Sequence, residues 1–150
     1  MNHFENAEKI MVERFGQDCL IALATVEDGK PFVRTVDGFY EDCAFYVVTY
    51  TLSNKMKQIA KCSEVAVSGE WFTGHGNGEN LGHVMKPENA EMMKKLRVAF
   101  ASWYTAGHVD ESDENTCLLR INLTNGVITD HSMKYGERYF AVNFAAKTAE

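Results

Sequence analysis

Apolar positions at the start of the chain recur at helical steps: Phe4, Ala7, Ile10, Met11 and Phe15, with Gly16 following where a left-handed C-cap fits. The pattern predicts an opening helix of about three turns. From Cys19 to Val26 it becomes continuous and β-favouring. Glu27-Asp28-Gly29-Lys30 supplies turn chemistry, and a second run from Phe32 to Tyr40 completes a hairpin. After Glu41-Asp42, the segment Ala44 to Tyr50 (AFYVVTY) is dense in aromatic and β-branched residues and predicts a third strand. SNKMKQIAKC, from Ser53 to Cys62, places Met56, Ile59 and Ala60 on one face of a short helix that Ser53 can cap.

Glu64 to Thr73 resumes strand character and ends in Trp71-Phe72, and Gly74 to His83 (GHGNGENLGH) reads as a loop. Pro87 opens the longest helix, whose stripe of Met93, Leu96, Phe100 and Trp103 runs to Gly107. Beyond an acidic loop from Asp110 to Glu114, Cys117 to Leu123 and Val127 to Thr129 flank Asn125-Gly126, the strongest short hairpin signal in the chain. No repeat, low-complexity stretch or linker divides the chain, so residues 1–150 read as one domain. An antiparallel meander must close or cover its edges, which predicts an α+β, mainly β architecture: about six strands in a small barrel with flanking helices.

Composition narrows the function classes. The formal charge of -6 gives no positive field for nucleic acid or an anionic membrane, so any anion must be held locally. Cys19, Cys43, Cys62 and Cys117 are widely spaced with no C-x-x-C pair, as expected of reduced, mostly buried thiols. Met1 to Phe15 mixes charges with apolar residues, unlike a signal peptide or a membrane span, and the expectation is a cytoplasmic protein.

The chemistry concentrates between Phe32 and Ile59. Arg34 offers a planar fork of donors, Lys55 a mobile ammonium, and the helix starting at Ser53 free N–H groups, a hydroxyl and the positive end of a dipole. A phosphate monoester suits that set, and extended backbone from Thr35 to Gly38 can lie along a flat heterocycle and bond its polar edge. An Arg in a strand and a Lys in a helix are also common as plain surface charges, so spacing by itself leaves the site open.

CLIALATVEDGKPFVRTV, FYVVTY and SNKMKQIAKCSEVAV, between Asp18 and about Ser68, follow in order the hairpin, third strand, short helix and fourth strand of a known family. The chain resembles the FMN-binding split-barrel proteins related to pyridoxamine 5'-phosphate oxidase. That resemblance implies a six-stranded antiparallel split β-barrel and a homodimer with FMN at the subunit interface. It implies that Arg34, Ser53 and Lys55 hold the phosphate while Thr35, Val36, Thr49 and Tyr50 line the ring and ribityl chain. The oxidase's C-terminal pair of basic residues, which grips its substrate phosphate, has no match in TDHSMKYGERYFAVNF, so vitamin B6 oxidation is not implied. The segment from Trp71 to Gly76 (W-F-T-x-H-G) is instead similar to that of other bacterial members.

Trp71 and His75 are further candidates for the cofactor region, Trp71 by stacking and His75 by contact with the cofactor edge or substrate. His75 and His83, with Glu79 between them, fit no standard metal spacing, and no metal is expected. Gly74-x-Gly76-x-Gly78 lacks the strand-turn-helix setting of a dinucleotide fingerprint. Trp103 lies on the helical stripe and reads as core; Lys86, Lys94, Lys95 and Arg97 lie among Glu88 and Glu91 as a solvated face. The sequence points first to a flavin-dependent oxidoreductase, in which the cofactor supplies the redox chemistry and Tyr50 or His75 could donate a proton. The alternative is a non-catalytic module that binds or senses a flavin, deazaflavin F420 or haem.

Overall fold

Asp28 and Gly29 both take positive φ, 50° and 77°, and turn strand β1 (Cys19–Glu27) into β2 (Lys30–Glu41) through nine consecutive pairs, from Glu27↔Lys30 to Cys19↔Gly38. The computed structural model describes residues 3–150. Ahead of the hairpin lies helix α1 (His3–Phe15); after it come β3 (Ala44–Tyr50), α2 (Asn54–Lys61), β4 (Glu64–Gly69) and β5 (Phe72–His83). Then follow α3 (Ala90–Ala99) and the strands β6 (Thr116–Thr129), β7 (Tyr139–Asn143) and β8 (Thr148–Ala149). The sheet runs β3-β2-β1-β4-β5-β6-β7-β8, and β3 also pairs with β6. That last pairing closes β1 to β6 into a six-stranded antiparallel barrel, from which β7 and β8 extend as a flap. Among the described residues, no helix is long and apolar enough to cross a membrane.

Alternation fills the barrel. Ile21 and Leu23 of β1, Phe45 and Val47 of β3, Val65 and Val67 of β4, and Leu119 and Ile121 of β6 point inward and are buried. Phe4, Ile10, Met11 and Phe15 of α1 and Met56 and Ile59 of α2 join the same cluster. Gln58, not Ala60, is the third residue α2 buries. A second cluster of Met93, Leu96, Phe100, Tyr104 and Leu118 packs on Phe39, Tyr46 and Val48, on the outer side of β2 and β3.

Three expected elements differ. Gly74 to His83 is strand, not loop: Phe72, Gly74 and Gly76 alternate inward with exposed Thr73, His75 and Asn77. The glycines serve close packing. A Cβ at Gly74 would lie 2.7 Å from the Phe72 ring and 2.9 Å from Asn125 O, and one at Gly126 would lie 2.7 Å and 2.8 Å from the Phe72 ring and Thr73 O. Asn125-Gly126 is accordingly no turn. β6 runs straight through it, and the register slips between His75↔Asn125 and Gly76↔Leu123, leaving Thr124 as the extra residue of a bulge. The bulge reverses the inward phase, which in sequence looks like the end of one strand and the start of another. The turn lies instead at Glu70-Trp71, where Trp71 has φ 52°, so β4 ends at Gly69.

The long helix from Pro87 to Gly107 is also broken. A 3-10 turn (Pro87–Asn89) leads into α3; after Phe100 come one helical turn (Ala101–Trp103) and a wide irregular turn (Tyr104–His108), with Gly107 at φ 89°. The break lets neighbouring aromatic residues serve different partners. Phe100 stays in the second cluster, Trp103 donates from Nε1 to Asp18 Oδ2 at 2.9 Å, and the Tyr104 hydroxyl bonds Glu111. The four cysteines are free thiols, Cys117 buried and the others half-buried.

Candidate functional site

β2 and β3 pair only at Phe39↔Tyr46, Tyr40↔Phe45 and Glu41↔Ala44. Beyond these pairs the strands separate. β2 continues from Gly38 back to Lys30 bonded to β1 alone, and β3 continues from Val47 to Tyr50 bonded to β6 alone. The result is a split in the barrel wall bordered by Arg34, Thr35 and Val36 on one side and by Thr49 and Tyr50 on the other. The backbone on this edge of β2 has free donors and acceptors, an exposed edge that proteins ordinarily cover.

Helix α2 starts where β3 leaves the split. Ser53 N bonds back to Tyr50 O at 3.0 Å, and Ser53 is the N-cap of α2, so the unpaired N–H groups of its first turn lie at that end. Yet the Ser53 Oγ makes no capping bond; it is buried without a hydrogen-bond partner among the described residues. An orphaned buried hydroxyl costs about 1–3 kcal/mol, so it normally has a partner to meet.

Arg34 points inward from β2. Its Nη1 donates to Thr25 Oγ1 at 2.7 Å, Leu23 O at 3.2 Å and Phe32 O at 3.4 Å, and its Nη2 donates to Gln58 Oε1 at 3.0 Å. All four acceptors are neutral, and burial holds the guanidinium below its ordinary pKa. Lys55 is half-buried, and its pKa is lowered first by burial and then by the charge of Arg34. No carboxylate pairs with either residue among the described ion pairs. In a chain of net charge -6, two partly buried cations that repel one another and lack a counter-ion form a local site for an anion.

The residues that aim Arg34 carry no motif in the sequence. Thr25 and Gln58 are buried polar residues, 0% and 5% exposed, that bond each other as well as the guanidinium. Helical spacing does not mark Gln58 either, since it falls off the face that Met56, Ile59 and Ala60 share. Arg34 also lines a cavity of about 540 Å³ with Phe32, Asn54, Lys57 and an ion pair, Lys61 Nζ lying 3.9 Å from Glu27 Oε2. Asn54 and Lys57 bring further donors there.

Trp71 and His75 stand elsewhere. Trp71 lies in the β4–β5 turn, 59% exposed, with its ring 4.4 Å from that of His131 and its carbonyl accepting from Arg14. His75 faces outward from β5, its Nδ1 3.3 Å from Asn125 Oδ1. The pairs His75↔Ala66, Ala66↔Ala24 and Ala24↔Val33 put it three strands from β2, roughly 14 Å across the outer sheet face. That face is apolar and open: Ala22, Ala24 and Ala66 floor a shallow cavity, with Leu20 66% and Val33 71% exposed beside them.

No protein-family model matches the chain, and no curated protein matches it. Solved structures do. A NimC/NimA family protein from Clostridium acetobutylicum is 20% identical, with 99% of this chain and 96% of that one covered and a TM-score of 0.61. A second protein from C. acetobutylicum, related to general stress protein 26 and of the pyridoxinephosphate oxidase family, is 14% identical with 96% of both chains covered and a TM-score of 0.61. An FAD-binding protein from Mesorhizobium loti is 16% identical, with 79% of this chain and 90% of that one covered and a TM-score of 0.59. At these identities the likeness establishes the fold, the split barrel of pyridoxamine 5'-phosphate oxidase-like proteins.

Proposed function

We propose that the split holds a flavin, FMN first, and that the protein is a flavin-dependent oxidoreductase. One observation carries this reading: Ser53 and Lys55 stand at the start of α2, near enough to Arg34 for its charge to lower the Lys55 pKa, with no ion pair to either cation and no bond for the Ser53 hydroxyl among the described residues. A phosphate monoester supplies what each lacks, accepting from the guanidinium, the ammonium, the hydroxyl and the first-turn N–H groups. The fit extends to the ring. The free edge of β2 from Thr35 to Gly38 presents backbone donors and acceptors to a planar heterocycle, and Thr49 and Tyr50 face it across the split. When bound, the flavin supplies two-electron transfer; the protein fixes its phosphate, bonds its polar edge and limits water through the barrel wall.

FAD is the second reading. The cavity that Arg34 shares carries Lys57 and the Lys61–Glu27 pair, and Lys57 is the cation there for a second phosphate. Denaturing the purified protein and weighing any chromophore it releases separates the two. FMN supports the first reading and FAD the second, whereas a colourless protein that takes up neither contradicts both.

The outer face of β2, β1, β4 and β5 supports a homodimer. Leu20 and Val33 expose apolar surface beside a floor of alanines, and the neighbouring edge of β2 is unpaired. A second copy laid there would also cover the flavin. Val33→Asp is expected to convert a dimeric mass in light scattering to a monomeric one; a wild-type monomer at micromolar concentration would overturn the dimer.

A further inference from the structure

Arg34 of β2, Thr25 of β1 and Gln58 of α2 close a ring of hydrogen bonds. A guanidinium carries five N–H donors in one plane, so its bonds can be assigned edge by edge. The Thr25 hydroxyl accepts from Nη1 and donates to Gln58 Oε1, and the same Oε1 accepts from Nη2. Two acceptors that bond each other, one on each Nη, lie side by side along the outer edge of the fork. The other Nη1 hydrogen has the carbonyls of Leu23 and Phe32. That leaves Nε–H and the second Nη2 hydrogen with no acceptor among the described residues. These two point the same way along the one remaining edge, the geometry that takes a pair of anion oxygens.

The chemical identity of the acceptors matters as much as their position. Thr25 and Gln58 are buried, so water does not compete for these bonds. A guanidinium away from solvent commonly meets an Asp or Glu carboxylate. Here the amide of Gln58 makes the bond that a carboxylate would make, and the positive charge of Arg34 is left unanswered. Gln58 also belongs to the helix that Ser53 caps and that carries Lys55. It therefore ties the fork of β2 to the element that supplies the other donors of the site.

We propose that Gln58, supported by Thr25, is a positioning residue that also selects the ligand's charge: it occupies the outer edge of Arg34, aims the Nε–Nη2 edge at the anion, and as a neutral amide keeps that edge positive. This rests on the flavin reading above, in which the anion is a phosphate monoester. A glutamate at this position would hold Arg34 equally well and would take the place of the phosphate as its counter-charge.

Titrating FMN and riboflavin into the apoprotein separates aiming from packing, because only FMN carries the phosphate. Gln58→Met and Thr25→Val, apolar replacements of similar size, should narrow the preference for FMN about tenfold or more and leave riboflavin affinity within about twofold. Thr25→Ser, which keeps the hydroxyl, should restore the preference. Gln58→Glu keeps every bond of Arg34 and, with its carboxylate held ionised by the guanidinium, should abolish the preference while melting no lower than wild type. A preference unchanged in Gln58→Met and Gln58→Glu would overturn the proposal. Equal weakening of both ligands would overturn it too, since that marks a purely structural residue. Nitrogen-15 NMR of the apoprotein reads the aim without a ligand: the Nη hydrogens of Arg34 should give separate signals in wild type, held by slow rotation, that merge in Gln58→Met. Merged signals in wild type would overturn the fixed edge. Separate signals in a wild type that does not prefer FMN would refute the phosphate reading and the charge selection, and would support the aiming of Arg34.

Discussion

The Arg34→Ala, Lys55→Ala variant should bind FMN about two to four powers of ten more weakly than wild type, measured by equilibrium fluorescence titration. Each side chain removes a charge-assisted interaction with the phosphate, about 1.5–3 kcal/mol apiece, and every 1.4 kcal/mol is about tenfold. Loss of folding would not account for the effect. When Arg34 is removed, Thr25 and Gln58 still bond each other, so no buried polar group is stranded. Lys55 has no hydrogen-bond or ion-pair partner to strand among the described residues, and burial and the charge of Arg34 lower its pKa, so holding its charge there without an anion is unfavourable. The apo variant should therefore melt no lower than wild type, and Lys55→Ala alone should melt slightly higher. A residue kept at a cost to stability is what a binding site requires. A variant that keeps wild-type FMN affinity would exclude Arg34 and Lys55 as the phosphate site.

Phe72→Ala should cost about 3–5 kcal/mol of stability and lower the melting temperature by about 10 °C or more. Phe72 is 1% exposed, and its ring meets those of Phe15, Phe45 and Phe144 at centroid separations of 5.9, 6.2 and 6.1 Å. Its ring also lies over Gly74 and Gly126, where any Cβ would collide with it. Adding Gly126→Ala to Phe72→Ala should thus cost less than the sum of the two single changes, because the new methyl enters space the ring has left. Gly126→Ala in the wild-type background keeps the collision. Additive losses in this cycle would show that the glycine answers to the Thr73 carbonyl alone, which would stand 2.8 Å from a Cβ at this position.

The segment from Cys19 to Lys61 is largely legible because its main local signals agree with the fold, Ala60 and the Ser53 cap excepted. Asp28-Gly29 is a turn, AFYVVTY a strand and SNK a helix start, and the register that follows brings Arg34, Thr35, Val36, Thr49, Tyr50, Ser53 and Lys55 around one split. The chain beyond β4 misleads where packing overrides local preference. Glycines at every second position of β5 carried a strand period that their identity disguised, and the bulge at Thr124 imitated a turn at Asn125-Gly126. β7 was missed although Phe140 and Val142 alternate inward, a period visible in YFAVN.

Flavin binding through the phosphate is the claim on which the rest depends, and comparing FMN with riboflavin tests it most directly, since the two differ only by that group. Titrating both into the apoprotein should give FMN at least a hundredfold tighter than riboflavin, the margin expected of charge-assisted bonds from Arg34 and Lys55 at about 1.5–3 kcal/mol each. Equal affinities, or no binding of either, would contradict it.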